Sequence, residues 1–406
     1  MSDSRKLVTL KKIDSITPIE GADKIECAHI GGWTCVVGKD EFYEGQIVYY
    51  FEVDSLIPLD NPKFKFLEQR GKMINHEDGK TYHRLRTIKL RGQISQGLIL
   101  PYTVGYEGVD PDKFTEIAID IQKNKHGDWS EFFGVIKYEP PIPAQLRGQV
   151  KMWPEWITHT DEERIQNLDK DVLDEILNDR ENWIATEKID GASTTIWGKC
   201  DSNGEITSGV CSRNWGLEYD EDNTYWKMAL TPIIKYLPQG PLSNPHDYVK
   251  AKAYELYDYD KQEHSVVLQG ETFGESIQNN PLKIKGQKIR FFNLFIDGKQ
   301  VPFNELPDEL ENVWVPTHDF ILADTSEEAI KQIDGLTTNV PEANQDSKIE
   351  GIVWRHQSKE FLDIKKEVDL NKVPEEKREL VKAKIKEEKV KASFKVISNS
   401  YLLKHE

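Results

Sequence analysis

The sequence predicts an α+β fold in which a small β-barrel precedes a larger domain of antiparallel strands with flanking helices. Two observations predict the barrel. Over residues 1–100, short β-branched and aromatic runs recur, and glycines punctuate them at Gly21, Gly31-Gly32, Gly38 and Gly45. Strands at that spacing suit a small closed sheet. The third observation predicts the second domain: from Trp183 to Trp354, strand-like runs are interrupted by helical stretches.

Composition bounds what such a chain can do. Its 406 residues, 38% hydrophobic and 30% charged, suffice for two or three domains with real cores. No apolar run reaches membrane-spanning length, and the N-terminus lacks a signal-like apolar core. The four cysteines, Cys27, Cys35, Cys200 and Cys211, lack metal-ligand spacing and read as reduced thiols. The expectation is a cytoplasmic or nuclear protein that is neither secreted nor membrane-bound. A net charge of −17 argues against polyanion binding over the whole surface.

Taken in order, the barrel strands are expected over Leu7–Ile16, Lys24–His29, Thr34–Val37 and Gln46–Val53. A local basic stretch follows. From Lys63 to Arg91 there are nine basic residues (Lys63, Lys65, Arg70, Lys72, Lys80, Arg84, Arg86, Lys89, Arg91) against Glu68, Glu77 and Asp78, nine minus three or +6. Phe64, Phe66 and Tyr82 are interleaved, which suits a nucleic-acid surface and equally a solvated loop. Residues 102–150 are irregular and Pro-rich around Glu139-Pro140-Pro141-Ile142-Pro143, the expected linker, with domains over 1–135 and 136–406. Thr160 and Glu163 have capping-box spacing, so a helix is expected to begin there. Arg164 then points toward a substrate or pairs with an acid of the first turn.

Further helices are expected over Asp222–Tyr236, Val249–Tyr259 and Ser326–Ile333. Strands are expected at Ser265–Gly270, Phe291–Ile296, Glu350–Arg355 and Ser393–Tyr401. Residues 367–392 read as a charged helical insertion, with Pro374 near its start and Glu387 four residues before Lys391. In Trp183-Ile184-Ala185-Thr186-Glu187-Lys188-Ile189-Asp190-Gly191-Ala192-Ser193, β-branched flanks predict two strands of one sheet joined by an Asp-Gly turn. Lys188 then lies at a strand end, where an amine that sheds its proton can act as a nucleophile. Lys-x-Asp-Gly recurs by chance, so this motif alone does not assign that role.

Six segments in order make the pattern specific. Lys188-Ile189-Asp190-Gly191 resembles the nucleophile motif of the covalent nucleotidyltransferases, which include DNA ligases, RNA ligases and capping enzymes. Ser212-Arg213-Asn214, Leu268-Gln269-Gly270-Glu271, Phe291-Phe292-Asn293-Leu294-Phe295, Glu350-Gly351-Ile352-Val353 and Ser393-Phe394-Lys395-Val396-Ile397-Ser398 resemble the motifs that follow it. Within that superfamily the chain resembles the Deinococcus-type ATP-dependent RNA ligases, the fifth RNA ligase family. Leu85-Arg86-Thr87-Ile88-Lys89-Leu90-Arg91-Gly92-Gln93-Ile94-Ser95-Gln96-Gly97 and Thr160-Asp161-Glu162-Glu163-Arg164-Ile165-Gln166 are similar to segments of that family. His159 stands where the family pattern has Lys. Asp363-Ile364-Lys365-Lys366 competes with the segment around Lys395 for the last motif, and the segment around Lys395 fits better.

The resemblance implies an OB-like domain ahead of a ligase-type catalytic domain. It implies joining of a 3′-hydroxyl to a 5′-phosphate through enzyme-lysyl-AMP and adenylylated RNA, in repair of nicked duplexes with RNA on the 3′-hydroxyl side, by a monomer. The implied cofactors are ATP and Mg²⁺ or Mn²⁺. The catalytic residues would be Lys188, Lys395, Glu350, Glu271 and Asp190, the last three also holding the metal. ATP contacts would come from Glu187, Lys188, Ile189, Arg213, Phe292 and Lys395, with Phe291 the rival of Phe292 for the stacking position. RNA contacts would come from Arg164, Arg84, Arg86 and Arg91. The physical reading agrees: two lysines repel one another's charge, carboxylates are hard ligands for Mg²⁺, and an aromatic ring stacks on a purine. The alternatives are a DNA ligase or capping-type enzyme, and a non-catalytic nucleic-acid-binding protein.

Overall fold

The computed structural model describes residues 6–68, 73–76, 78–102, 127–138, 149–235, 243–365 and 387–405. The fold is α+β. The chain divides into two compact units, residues 1–141 with 402–406, and residues 142–401.

The first unit is built from small antiparallel sheets. Val8–Lys12, Ile47–Phe51 and Leu98–Pro101 form one, with Ile47–Phe51 in the middle. Ser15–Pro18, Ile25–Ile30 and Trp33–Gly38 form a second. The central strand shows why this part folds: Val48, Tyr49, Tyr50 and Phe51 are all buried. Successive side chains of a strand point to opposite faces. Tyr49 and Phe51 enter a core with Phe64, Trp129 and Phe133, whereas Val48 and Tyr50 enter another with Ala28, Trp33 and Cys35. The expected strand Leu7–Ile16 is broken after Lys12, where the chain moves from one sheet to the other. The expected boundary at 135 falls short, because Ile136–Lys137 pairs with Ser55–Pro58 of the first unit.

The second unit carries a seven-stranded and a five-stranded sheet. The seven-stranded sheet is centred on Ala192–Cys200, His264–Gly274 and Gln287–Ile296. One of its faces presents Ile196, Leu268 and Leu294 to Val249 and Ala253 of the helix Pro245–Asp260. That helix starts where it does because the Asn244 side chain accepts a hydrogen bond from the Asp247 amide and Pro245 occupies the first turn.

The five-stranded sheet runs Glu163–Arg164, Ser393–Ile397, Gly351–His356, Trp183–Lys188, Thr317–His318. Trp183, Ala185, Ile352, Trp354, Phe394 and Val396 share its core face with the helices Lys170–Asn178 and Ser326–Ile333. The alternation therefore leaves Lys188, Thr186, Val353, Arg355, Lys395 and Ser393 on the other face.

Four sequence expectations are corrected. Trp183–Lys188 and Ala192–Cys200 belong to different sheets, so Asp190-Gly191 is a crossing between sheets. Gly191 suits the crossing because a Cβ there would collide with the Thr272 carbonyl oxygen. No helix begins at Thr160: Glu163–Arg164 is a short strand parallel to Phe394–Lys395, and the helix begins at Lys170. Glu387–Lys391 is a strand paired with Phe361–Lys365, since Leu362, Ile364 and Ala392 go into the core of the five-stranded sheet. The remainder of the expected insertion, 367–386, and the Pro-rich stretch at 139–143 lie outside the described residues. Ser393–Ile397 ends as a strand and Asn399–His405 is helical.

Candidate active site

Lys188 ends its strand at the seam between the two sheets, paired with Gly351. The chain then buries Ile189 in the core of the seven-stranded sheet and enters that sheet at Ala192. Lys188 Nζ donates to Glu350 Oε2 at 2.7 Å. Glu271, opposite Ser193 in the seven-stranded sheet, faces the same amine. Asp190 accepts a hydrogen bond from the Tyr401 hydroxyl at 2.7 Å.

The charge balance here is negative. Burial alone would lower the Lys188 pKa, but Glu350, Glu271 and Asp190 raise it above the usual lysine value. Burial pushes the Glu271 carboxyl up to about 8, with Glu350 and Asp190 adding to it against Lys188 and Arg213. Burial and Glu350 push Asp190 up to about 6. The carboxylates thus favour the ammonium form of Lys188, and the expected loss of its proton rests on Mg²⁺ together with Lys395.

Lys395 lies on the same sheet face, opposite Val353. Its Nζ donates to Asp161 Oδ1 at 2.8 Å. Burial lowers its pKa, as do Arg164 and Lys188, while Asp161 opposes them. Arg213, in the turn after Ile206–Cys211, reaches Asp161 Oδ2 at 3.4 Å. Arg164 is buried beside Lys395 in the parallel pair, on a short strand rather than in the first turn of a helix. The rival Lys365 lies on the Phe361–Lys365 ribbon, away from the Ser393–Ile397 strand that neighbours Gly351–His356, and Lys366 lies outside the described residues.

Of the two phenylalanines, Phe291 is fully buried in the helix-side core. Phe292 sits at a register shift opposite Gln269 and Gly270 and lines a cleft with Trp314, Arg355 and Ser393. The Arg355 guanidinium lies 5.8 Å from its ring centroid. The Glu187 side chain points away from this face. It accepts hydrogen bonds from Thr338 Oγ1, the Asn339 amide at 2.8 Å and His318 Nε2 at 3.0 Å. Its carboxylate is therefore committed to fixing its own strand, which leaves its backbone for any nucleotide contact.

One cluster escaped the sequence reasoning. Glu162 accepts from Lys391 Nζ at 2.9 Å, Ser393 Oγ at 2.6 Å and, more distantly, Arg355 Nη1 at 3.5 Å. Arg355 Nη1 also donates to Asn293 Oδ1 at 3.0 Å, and Asn293 Nδ2 to Gln269 Oε1 at 3.1 Å. Thr160 Oγ1 donates to the same Gln269 oxygen at 2.8 Å. These bonds cross from one sheet to the other through the residue 160–164 strap. The available signal was alternation, with Asp161 and Glu163 exposed and Glu162 and Arg164 inward, but an all-polar run hides a period of two.

In the first unit, Arg84 pairs with Asp54 at 2.6 Å and stacks 3.9 Å from the Tyr138 ring centroid. That makes Arg84 part of the packing of this unit, with its side chain 24% exposed. Arg86 is half-buried, whereas Arg91 is exposed at the tip of the hairpin Ile88–Leu90/Gln93–Ser95, with φ of 49°. Arg70, Lys72 and Glu77 of the basic stretch lie outside the described residues.

Among the described residues, no three His, Cys, Asp or Glu side chains form a ready-made metal cage. Glu350, Glu271 and Asp190 nonetheless fit a hard divalent cation. Mg²⁺ usually takes one or two carboxylates, directly or through water, together with substrate phosphates. The upward shifts of Glu271 and Asp190 show that added positive charge would stabilise the site.

A lysine at the seam of two largely antiparallel sheets, faced by carboxylates and by a second lysine, defines a nucleotidyltransferase-type ligase domain preceded by a small β-domain. The comparisons narrow this. Residues 181–374 match the RNA ligase family model, and residues 7–102 match an OB-fold domain. An apo mutant of Naegleria gruberi RNA ligase is similar at 31% identity and TM-score 0.68, over 100% of this chain and 99% of that one. A mutant of the Naegleria gruberi enzyme with ATP and Mn gives 31% identity and TM-score 0.67, over 98% and 99% of the two chains. Naegleria gruberi RNA ligase with PPi gives 32% and 0.67, over 99% of each. No curated protein matches the sequence. The chain belongs to the RNA ligase family, and it is an RNA-joining enzyme.

Proposed function

We propose that the protein is an ATP-dependent RNA ligase of the Deinococcus type that seals nicked duplexes through an enzyme-lysyl-AMP intermediate. The observation that supports this most is the convergence of Lys188, Glu350, Glu271 and Lys395 at one seam. In the first step Lys188 Nζ, having given up a proton, attacks the α-phosphorus of ATP. The bond to the β-phosphate breaks and pyrophosphate leaves with its electron pair. An oxygen of the RNA 5′-phosphate then displaces Lys188 from the AMP phosphorus. Finally the 3′-hydroxyl attacks the activated 5′-phosphate, releasing AMP. Lys395 faces the phosphates and offsets charge that builds on them. Phe292 stacks on adenine and Arg213 grips ribose or phosphate in a forked geometry. Mg²⁺ or Mn²⁺ held by Glu350, Glu271 and Asp190 would supply the positive charge that lets Lys188 lose its proton.

The enzyme is read as a monomer of the cytoplasm or nucleus; no helix among the described residues is long and apolar enough to cross a membrane. The test is incubation with Mg²⁺ and α-labelled ATP or GTP. A covalent adduct from ATP alone is expected. An adduct from GTP would make it a capping-type enzyme, and no adduct from either would remove the reading.

Three substitutions refine it. Lys395→Ala is expected to reduce adduct formation by at least about a hundredfold, the scale of one lost charge-stabilising group. Lys365→Ala should stay within about twofold, under 0.5 kcal/mol, because its ribbon is separate from the strand that carries Lys395. The reverse pattern in a single-turnover assay would transfer the last motif to the ribbon. Arg91→Glu is expected to leave the adduct unchanged and weaken nick binding, with a shallower salt dependence in a gel-shift titration. Equal binding by both proteins would exclude the hairpin tip from the RNA surface.

A further inference from the structure

The two cations proposed to meet the ATP phosphates share a protein carboxylate. Lys395 Nζ is 2.8 Å from Asp161 Oδ1 and Arg213 Nη2 is 3.4 Å from Asp161 Oδ2. The segment that carries Asp161 is fixed on both sides. Thr160 is bonded to Gln269 of the seven-stranded sheet, Glu162 to Lys391 and Ser393, and Glu163–Arg164 pairs with Phe394–Lys395. The Asp161 carboxylate is therefore held by its backbone in front of the two cations, with its side chain 38% exposed.

We infer that Asp161 is an internal stand-in for a substrate phosphate, occupying Lys395 and Arg213 until ATP arrives and weakening the hold of the site on pyrophosphate. The inference rests on the reading that Lys395 and Arg213 face the phosphates. A carboxylate and a phosphate oxygen present the same chemistry to an ammonium and a guanidinium. A phosphate entering between these cations must displace Asp161 or bear its repulsion, and either lowers affinity. The leaving pyrophosphate meets the same competitor, so Asp161 favours its departure over the reverse attack on lysyl-AMP. Asp161 is thus an affinity-setting residue, and it forms no bond to the reacting atoms.

The test is calorimetric titration of the full chain, freed of bound AMP, with inorganic pyrophosphate and Mg²⁺ at one moderate ionic strength. Asp161→Asn keeps the side-chain shape, and thermal melts check its fold. Its pyrophosphate affinity is expected to rise about fivefold, the scale of one partly exposed charge contact. Asp161→Glu, which keeps the charge, should stay near wild type, and Lys395→Ala should bind pyrophosphate more weakly. Unchanged or weaker binding by Asp161→Asn, together with weakened Lys395→Ala, would overturn the stand-in role and leave the site assignment intact. Undiminished binding by Lys395→Ala would overturn the site assignment, and the stand-in role with it.

Discussion

Lys188→Ala is expected to abolish the labelled AMP adduct and ligation from ATP while the protein stays folded. The side chain makes one direct bond, to Glu350 Oε2 at 2.7 Å, from the end of its strand. Removing a buried cation normally leaves its partner uncompensated, at a cost of about 3–5 kcal/mol. Here the cost should be smaller, because at neutral pH the neighbouring Glu271 carboxyl, pushed up to about 8 by burial, already favours its protonated form. The variant should therefore unfold near the wild-type temperature at neutral pH. Chemistry leaves no comparable escape, since no other amine can form the same phosphoramide at this position. Lys188→Arg should fail as well, although it keeps the charge, because a guanidinium does not deprotonate in proteins. Gel autoradiography with α-labelled ATP reads the result, and an adduct mapped to another lysine would overturn the nucleophile. A pre-adenylated nick bypasses the missing step, so residual sealing of that substrate would locate the defect in adenylylation rather than in RNA binding.

The pH dependence of adduct formation follows from the same geometry. Because the carboxylates raise the Lys188 pKa, the amine form is scarce in the metal-free protein and grows as pH rises. The rate of adduct formation is expected to increase with pH through the neutral range, and more Mg²⁺ should move that rise to lower pH. A flat profile would mean that proton loss from Lys188 does not limit the step.

Much of this arrangement was legible in the sequence, and the parts that were not share a physical cause. Strands such as Gln287–Ile296 and Gly351–His356 announce themselves by dense aromatic and β-branched residues, and Ser326–Ile333 by its apolar face. The segments around Lys188, Glu350 and Lys395 stand out by residue type and order, and the five-stranded sheet brings Lys188 and Lys395 to one face with Glu350 bonded to Lys188. Asp190-Gly191 was misread because a turn signal states that the chain changes direction, and leaves open whether it returns to the same sheet. The 160–164 strap was misread because Thr160 and Glu163 satisfy helix-capping spacing. What decides its conformation is partners more than a hundred residues away, Gln269, Lys391 and Ser393. Glu387–Lys391 was misread for a similar reason: helix-favouring charge spacing contributes about 0.5 kcal/mol at most, less than burial of the apolar residues of the ribbon. Arg84 carries the charge of a nucleic-acid contact, and its pairing with Asp54, thirty residues away, is a tertiary contact that charge alone does not announce.

Glu162→Ala is expected to cost the second unit about 3–5 kcal/mol, because it leaves the buried cation Arg355 and the half-buried Lys391 without their shared counter-charge. Burial alone would raise the Glu162 carboxyl, but Lys391, Arg355 and the Ser393 hydroxyl hold it down at about 2. The sign follows from linkage. A carboxyl whose pKa is lower folded than unfolded contributes stability above its unfolded value, about 4.3 for Glu, and loses that contribution as pH falls through the folded value. Wild-type stability should therefore drop between about pH 4.3 and pH 2, and Glu162→Gln should be less sensitive across that window. Glu162→Gln keeps the shape and one acceptor, so at neutral pH it should lose less than Glu162→Ala. Glu162→Ala leaves Arg355 held by Asn293 Oδ1 alone among the bonds that tie it across the sheets, so the cleft it lines with Phe292 should lose order together with stability. Urea unfolding followed by tryptophan fluorescence measures the effect, since Trp183 and Trp354 lie in the core of the five-stranded sheet. If Glu162→Ala unfolds at the wild-type urea concentration, the strap is not what ties the two sheets together. A loss at neutral pH that shrinks as pH falls below about 2 would instead assign the tie to the ionised carboxylate itself, since the wild-type group becomes mostly protonated below that pH and loses the same charge.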